Sequence, residues 1–271
     1  MSQFPEGSYK PLNGAPESIL GWEVPVESVP LPSGGKLYKQ ESFFYNKTTI
    51  QLKAMTAKEE DILTSRSYAK EGTTIEHLIA SCAMCSYKDV KELLLGDRNA
   101  LLVAIRVTGY GSEYIADVNC PKCKKNSEFN FDLGNLEINT LQVQPVKEGT
   151  KIFEFTLPVS KKIVHFKLID ADEDEKIEKE VENQIKILGI NSVGRITHRL
   201  FSRIVSIDNI ADRDQIKKFV NIMPAYDSKQ LREYMSKIEP SLDMFTEFDC
   251  PHCDEKSKVL LPIGRNFFWP S

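Results

Sequence analysis

Apolar positions change period several times along this chain, and each change marks an element. Residues 1–30 have no period: Pro5, Pro11, Pro16, Pro25 and Pro30 alternate with Gly7, Gly14 and Gly21. That composition excludes a regular helix or a central strand and predicts an extended arm, with Trp22, Val24 and Val26 as apolar surface to bury. The turn Leu31-Pro32-Ser33-Gly34-Gly35 precedes alternating residues through Tyr45 and then Thr49-Ile50-Gln51-Leu52, the pattern of a hairpin. Thr56, with Glu59 three residues on, has capping-box spacing for a helix that begins at Ala57. Ile75, Leu78, Ile79, Cys82 and Cys85 then recur at helical spacing. Gly96-Asp97 reads as the end of one helix and the cap of the next. In that next helix residues 100–105 are apolar on every side, so it belongs at the centre of a core. Gly109-Tyr110-Gly111 breaks it.

The period of two returns at residues 113–118, then at 151–157 and 163–168, with Pro158 and Ser160-Lys161 at the bend between the last two. His165 falls on the opposite face from Val164 and Phe166 and reads as a surface histidine. From Asp172 to Ile238 the pattern is helical. Asp172-Glu173-Asp174-Glu175 suits the positive end of a helix dipole, and Ile177, Val181, Ile185 and Leu188 form an apolar stripe that Gly189 ends. Three shorter helices are predicted over residues 193–207, 214–223 and 228–238.

These elements predict an α+β fold: a mixed helix and hairpin core, with an inserted helical domain. The expected divisions are an arm at 1–30, an α+β domain at 31–140, a β-hairpin segment at 141–170, the helical insertion at 171–240 and a C-terminal piece at 241–271.

Composition narrows the class. Of 271 residues, 41% are hydrophobic and 27% charged, which is ordinary for a folded protein. A net charge of −4 argues against broad binding to a phosphate backbone. No stretch approaches the ~18 uninterrupted apolar residues of a membrane span. Met1-Ser2-Gln3-Phe4-Pro5-Glu6 lacks a basic region followed by an apolar core, so no secretory signal is expected. Six cysteines without an export signal point to a reducing compartment, where thiolates stay free for metal.

Two of the turns carry the candidate chemistry. Cys120-Pro121-Lys122-Cys123 and Cys250-Pro251-His252-Cys253 are near-identical, and each leads through a polar run into an apolar one. Four thiolates from two such knuckles suit a tetrahedral zinc, and four protein ligands leave no open position, which describes a structural ion. The 126 residues between Cys123 and Cys250 exceed the ~15–20 of a continuous ribbon. The metal would therefore tie mid-chain to the C-terminal end as a split four-cysteine zinc ribbon. Disulfides or a redox Cys-x-x-Cys are the competing reading; two copies with matching flanks fit zinc better. His252 reads as a solvated turn residue beside two sufficient ligands. Cys82 and Cys85 read as core cysteines on one helix face, since a free cysteine packs as a small hydrophobe.

No phosphate-binding glycine loop, dinucleotide fingerprint, nucleophile elbow or His-Glu-x-x-His helix occurs. His77, His165, His198 and His252 are scattered. No catalytic or small-molecule site is expected, and the chain reads as a non-enzyme.

Leu31-Pro32-Ser33-Gly34-Gly35-Lys36-Leu37-Tyr38, Gly96-Asp97-Arg98, the apolar helix to Arg106 and Tyr110-Gly111-Ser112-Glu113-Tyr114 follow one another in a recognisable order. With the paired knuckles and the terminal Phe267-Phe268-Trp269-Pro270, the chain resembles the baseplate hub and hub-assembly proteins of T-even-type contractile-tailed bacteriophages. The resemblance is strong over residues 29–135 and rests on motif alone at 250–270. It implies a structural or assembly protein of the tail baseplate hub, built in the host cytoplasm, with other hub or tail proteins as partners. Both a virion component and an assembly factor absent from the finished particle fit it. A second class, a nucleic-acid-binding zinc-ribbon accessory protein, would need a basic surface at the knuckles. Lys122, Lys124, Lys125, Lys256 and Lys258 supply charge there, and Asp249, Asp254 and Glu255 dilute it. The arm and the aromatic tail are expected to contact partners; the alternative for both is packing on the protein's own core.

Overall fold

The computed structural model describes residues 22–188, 194–261 and 267–268, without the side chains of residues 178 and 182–188. Helix α5 (Leu95–Tyr110) runs through its centre. Residues 100–105 are all buried, as an all-round apolar segment requires. The helix starts earlier than its sequence suggests, because Gly96 and Asp97 lie inside its first turn and do not divide two helices. Asp97 is fully buried there and accepts hydrogen bonds from the Ser33 N–H (2.9 Å), the Ser33 hydroxyl (2.5 Å) and the Tyr38 hydroxyl (2.5 Å). A Cβ on Gly96 would meet the carbonyl oxygen of Pro240 at 2.0 Å, so strand β9 (Ser241–Leu242) can approach the helix only across a glycine.

The first hairpin is displaced from the expected place. Strand β1 (Val26–Pro30) pairs antiparallel with β2 (Thr49–Lys53), in the register Val26 opposite Lys53 and Pro30 opposite Thr49. Residues 31–48 form turns instead of an alternating strand. Leu31, Leu37, Tyr38 and Phe44 are all buried, and Gly34 and Gly35 hold positive φ, so this loop closes around its own apolar residues. Residues 26–30 therefore belong to the folded body and not to the arm; residues 1–21 lie outside the described residues.

Helix α1 (Ala57–Thr64) begins with the expected capping box. After the short α2 (Arg66–Glu71), helix α3 (Thr74–Cys82) ends at Cys82, and Met84 turns the chain at φ +52°. Cys82 is buried on that helix, whereas Cys85 lies beyond its end and is half-buried. The expected shared helix face for the two cysteines therefore stops at Cys82. A short α4 (Tyr87–Lys91) leads on to α5.

Beyond the first knuckle, β5 (Ile138–Asn139) pairs with β9. Strands β6 (Ile152–Thr156) and β7 (Ile163–Lys167) form the expected antiparallel pair. Helices α6 (Ala171–Leu188), α7 (Arg195–Arg203), α8 (Arg213–Ile222) and α9 (Ala225–Ile238) follow. The helix expected over 193–207 is shorter. Its last four residues are strand β8 (Ile204–Ile207), which pairs with β7. β-Branched Ile204, Val205 and Ile207 favour extended backbone, and the Arg213 guanidinium takes the Phe201 and Ile204 carbonyls at 2.8 and 2.7 Å where the helix stops. β8 also covers His165, which is not a surface residue: its side chain is 17% exposed, with Nδ1 3.1 Å from the Ser206 hydroxyl and Nε2 3.2 Å from Glu154.

Buried Asp227 of α9 accepts the Val159 and Ser160 N–H groups at 2.7 and 2.9 Å, tying the β6–β7 turn to the helices. Leu52, Leu101, Phe166, Leu231 and Phe248 all belong to the same buried apolar cluster. Ile177 and Val181 of the α6 stripe form a smaller cluster with Ile169. The side chains of Ile185 and Leu188, and Gly189, lie outside the described residues.

Candidate metal centre

Strands β3 (Glu113–Asn119) and β4 (Asn126–Asp132) form one antiparallel hairpin, and β10 (Phe245–Asp249) and β11 (Lys256–Leu260) another. An offset of 130 residues superposes one sequence on the other, Cys120 on Cys250 and Cys123 on Cys253. The backbone repeats as well. The Lys124 N–H bonds the Cys120 carbonyl and the Asp254 N–H the Cys250 carbonyl, each at 3.0 Å. Cys120 N–H reaches Lys125 O, and Cys250 N–H reaches Glu255 O, again at 3.0 Å. Lys124 (φ +60°) and Asp254 (φ +53°) take the left-handed conformation that closes each knuckle. Even the half-buried Ser127 and Ser257 correspond, each with a hydroxyl that has no partner among the described residues.

The two knuckles meet. Cys120 Sγ lies 3.7 Å from Cys253 Sγ, and Cys123 Sγ lies 3.7 Å from Cys250 Sγ; all four sulfurs fall within 4.8 Å of one another. A tetrahedral thiolate site with metal–sulfur bonds of about 2.3 Å places its sulfurs ~3.8 Å apart. The donor set fits that requirement and could hold a metal ion. A disulfide needs ~2.05 Å, and all four cysteines are free.

Backbone amides aim at the sulfurs, from Cys123 onto Cys120 (3.5 Å) and from His252 onto Cys250 (3.4 Å). Hydrogen bonding from the Cys123 backbone lowers the Cys120 thiol to about 6. The Glu255 backbone pulls Cys253 down, but burial and the neighbouring thiols outweigh it and push that group up to about 12. Thiolates must be the ligating form, and a bound metal would supply the positive charge that offsets them.

Packing fixes the same juxtaposition. Phe129 of the first hairpin meets Phe248 of the second edge-on at 5.3 Å, and Phe248 is fully buried. Lys122 and Glu255 pair at 2.6 Å across the knuckles, and Lys256 pairs with Asp249 at 3.2 Å. Arg106, buried at the end of α5, donates to the carbonyls of Gly111 (2.8 Å) and Glu113 (2.9 Å), where the first hairpin leaves the helix. His252 is exposed and stands outside the sulfur cluster. Cys82 and Cys85 are also outside it, with thiols pushed up to about 12 by burial. The aromatic tail corrects its expectation: Phe267 and Phe268 are buried, and Phe267 packs edge-on against Tyr114 at 5.1 Å. Trp269 and Pro270 lie outside the described residues.

The family described as T4 bacteriophage base plate protein matches residues 25–269, a span that runs from β1 through both knuckles to the tail. The chain belongs to that family. No curated protein and no solved structure matches it. As a baseplate protein its context is the phage tail and other tail or baseplate proteins. None of the described helices is long and apolar enough to cross a membrane. Buried Arg106 and Asp227 are polar anchors that motif reading missed, and Glu59 and Asp97, legible in sequence only as cap residues, are buried anchors as well. The trace of Arg106 in sequence is a charged residue directly after the apolar run at 100–105, and Asp227 carries no such signal.

Proposed function

We propose that this baseplate protein is a zinc-stabilised, non-enzymatic scaffold of the baseplate hub that binds other hub subunits. The observation that carries the reading is the cluster of Cys120, Cys123, Cys250 and Cys253 joining two hairpins 130 residues apart. A two-stranded hairpin is marginal alone. Zinc held by four thiolates would lock both to each other and to α5, giving a rigid body with several outward faces. With every ligand a cysteine, the ion has no place for substrate, and its task is to hold the fold.

The knuckle charges support a protein partner over nucleic acid. Lys122 and Lys256 are each paired with a carboxylate, so Glu255 and Asp249 offset part of the positive charge that a phosphate backbone would need. The segment ahead of β1 is assigned to a hub partner, as prolines and glycines at that density suit a chain that wraps a neighbour. Assembly takes place in the host cytoplasm.

Quantitative mass spectrometry of purified particles, beside affinity purification from infected cells, tests the reading. Recovery with hub subunits from cells is expected, and presence in the particle separates a virion component from an assembly factor. A chain that co-purifies with no tail protein overturns it. Deleting residues 1–21 should abolish that recovery while leaving zinc content unchanged.

A further inference from the structure

The outer face of the first metal hairpin is acidic on both strands. Its outward residues alternate along β3 and β4, all are exposed, and none is basic. Glu113 stands directly opposite Asp132 and Asp117 directly opposite Glu128, with Ile115 between them on β3 at 60% exposure. Like charges placed across an antiparallel pair destabilise it, so this face is arranged against the hairpin's own preference. The second hairpin supplies a comparison within the same chain. At the offset of 130 residues Asp117 corresponds to Glu247 and Glu128 to Lys258. There the cross-strand pairs are Glu247 with Lys258 and Asp249 with Lys256, each of opposite charge. A hairpin of this shape therefore folds with its charges balanced, and it is the first copy that sets acid against acid. The apolar position is common to both: Ile115 corresponds to Phe245, which is 54% exposed.

These carboxylates are available to a partner. Among the described residues, Asp117 and Glu128 make no ion pair or side-chain hydrogen bond, and Glu113 gives only its backbone carbonyl to Arg106. Asp132 accepts the Gly134 N–H (2.9 Å) and the Asn135 side-chain amide (2.6 Å), neither of which neutralises it. Strand geometry sets the spacing. Glu113 and Asp117 stand ~13 Å apart along β3, and each has its opposite acid ~5 Å away. An extended segment with basic residues at i and i+4 has the same ~13 Å span, and its residue i+2 falls over Ile115. A guanidinium presents paired N–H donors to carboxylates, so one arginine suits each acidic pair. Nucleic acid is repelled by such a face. Residues 1–21 of the chain itself hold one lysine and two glutamates, which do not complement it.

Resting on the scaffold reading, we propose that the outer face of β3 and β4 docks an extended segment of another baseplate protein in which two arginines, four residues apart, flank an apolar residue.

The test is fluorescence anisotropy of the full-length protein with a labelled peptide carrying Arg-Thr-Leu-Thr-Arg at its centre. One control peptide has citrulline for both arginines, which keeps the shape and removes the charge. The other reorders the same residues as Arg-Arg-Leu-Thr-Thr. Saturable binding that weakens with salt is expected for the first peptide, with about tenfold weaker binding of the citrulline peptide and about fivefold weaker binding of the reordered one. Asp117→Asn should weaken binding about tenfold. Glu247→Gln, at the equivalent position of the second hairpin, should change it less than about twofold. Glu128→Lys gives the first hairpin the opposite-charge pair of its copy, so it should weaken binding about tenfold or more while thermal stability holds or rises. Retained metal content shows that each variant keeps the hairpin. Equal binding of all three peptides, or undiminished binding by folded Glu128→Lys, would overturn the docking face. So would saturable calcium binding that Asp117→Asn abolishes, in a protein that takes no peptide. A wild type that takes no peptide yet co-purifies with hub subunits also overturns it and leaves the scaffold reading standing. Peptide binding without recovery of any tail protein keeps the face and overturns the scaffold reading.

Discussion

The Tyr38 hydroxyl donates a 2.5 Å hydrogen bond to the Asp97 carboxylate, 59 residues away, with both side chains buried. The same hydroxyl accepts the Leu94 N–H at 3.0 Å, just ahead of α5. One phenol thus joins the 31–48 loop to the start of the central helix. Burial raises the Asp97 carboxyl, and the Ser33 and Tyr38 bonds act against that rise. Tyr38→Phe keeps the ring, leaves the Leu94 N–H without its acceptor and removes one of the three hydrogen bonds to the buried Asp97 carboxylate. It should lower stability by about 1–3 kcal/mol in urea unfolding. An unchanged midpoint and slope would show that the junction holds without the hydroxyl.

Acid should probe a second anchor. Burial alone would raise the Glu59 carboxyl, but hydrogen bonds from Lys53, Ser81 and Thr56 outweigh it and hold the group at about 2, against 4.5 in the unfolded chain. A depressed carboxyl stabilises the fold above its unfolded value and loses that contribution as pH falls through 4.5 toward 2. Near neutral pH the contribution is up to about 3 kcal/mol. Subtracting the pH–stability curve of Glu59→Gln from that of the wild type removes effects common to both, the metal site included. The difference should shrink over that window; a flat difference contradicts the assignment.

Metal analysis separates the two kinds of cysteine. One zinc per chain is expected, lost in Cys250→Ser together with a marked fall in thermal stability, since metal binding and folding are coupled. Cys82→Ala with Cys85→Ala should leave the metal in place and reduce stability by only about 1–2 kcal/mol. Zinc that survives in Cys250→Ser, or halves in the double alanine variant, reverses the assignment.

The sulfur cluster was legible because cysteine spacing is local and was written twice, and a repeat at offset 130 survives any folding between its copies. The central placement of α5 was legible for a similar reason: an apolar run without a polar face has nowhere else to go. What escaped depends on distant partners. Residues 204–207 continue a helical pattern and become β8 because β7 offers an edge. Asp97 resembles a cap until Ser33 and Tyr38 arrive from the 31–48 loop to bury it. Gly96 looked like a helix stop, and its role is to admit the Pro240 carbonyl.

The tail offers the sharpest contrast between core and contact. An aromatic chain end reads equally well as a partner anchor or as part of the fold, and burial distinguishes them. Phe267 is fully buried, edge-on to Tyr114 at 5.1 Å and to Phe268 at 5.0 Å. Tyr114 stands on β3, the strand that delivers Cys120, so the residue supports the metal hairpin from behind. Truncating a buried phenylalanine removes its transfer energy and leaves a cavity, a loss of about 3–5 kcal/mol. Its edge-to-face partners add ~0.5–1.5 kcal/mol. Phe267→Ala should therefore lower the unfolding temperature strongly and make the metal easier to remove with a chelator, even with no other protein present. Deletion of residues 1–21 should have the opposite signature, with stability intact and hub recovery lost. If Phe267→Ala instead unfolds like the wild type and loses only its partner, the tail is a contact and its packing against Tyr114 does not support the metal hairpin.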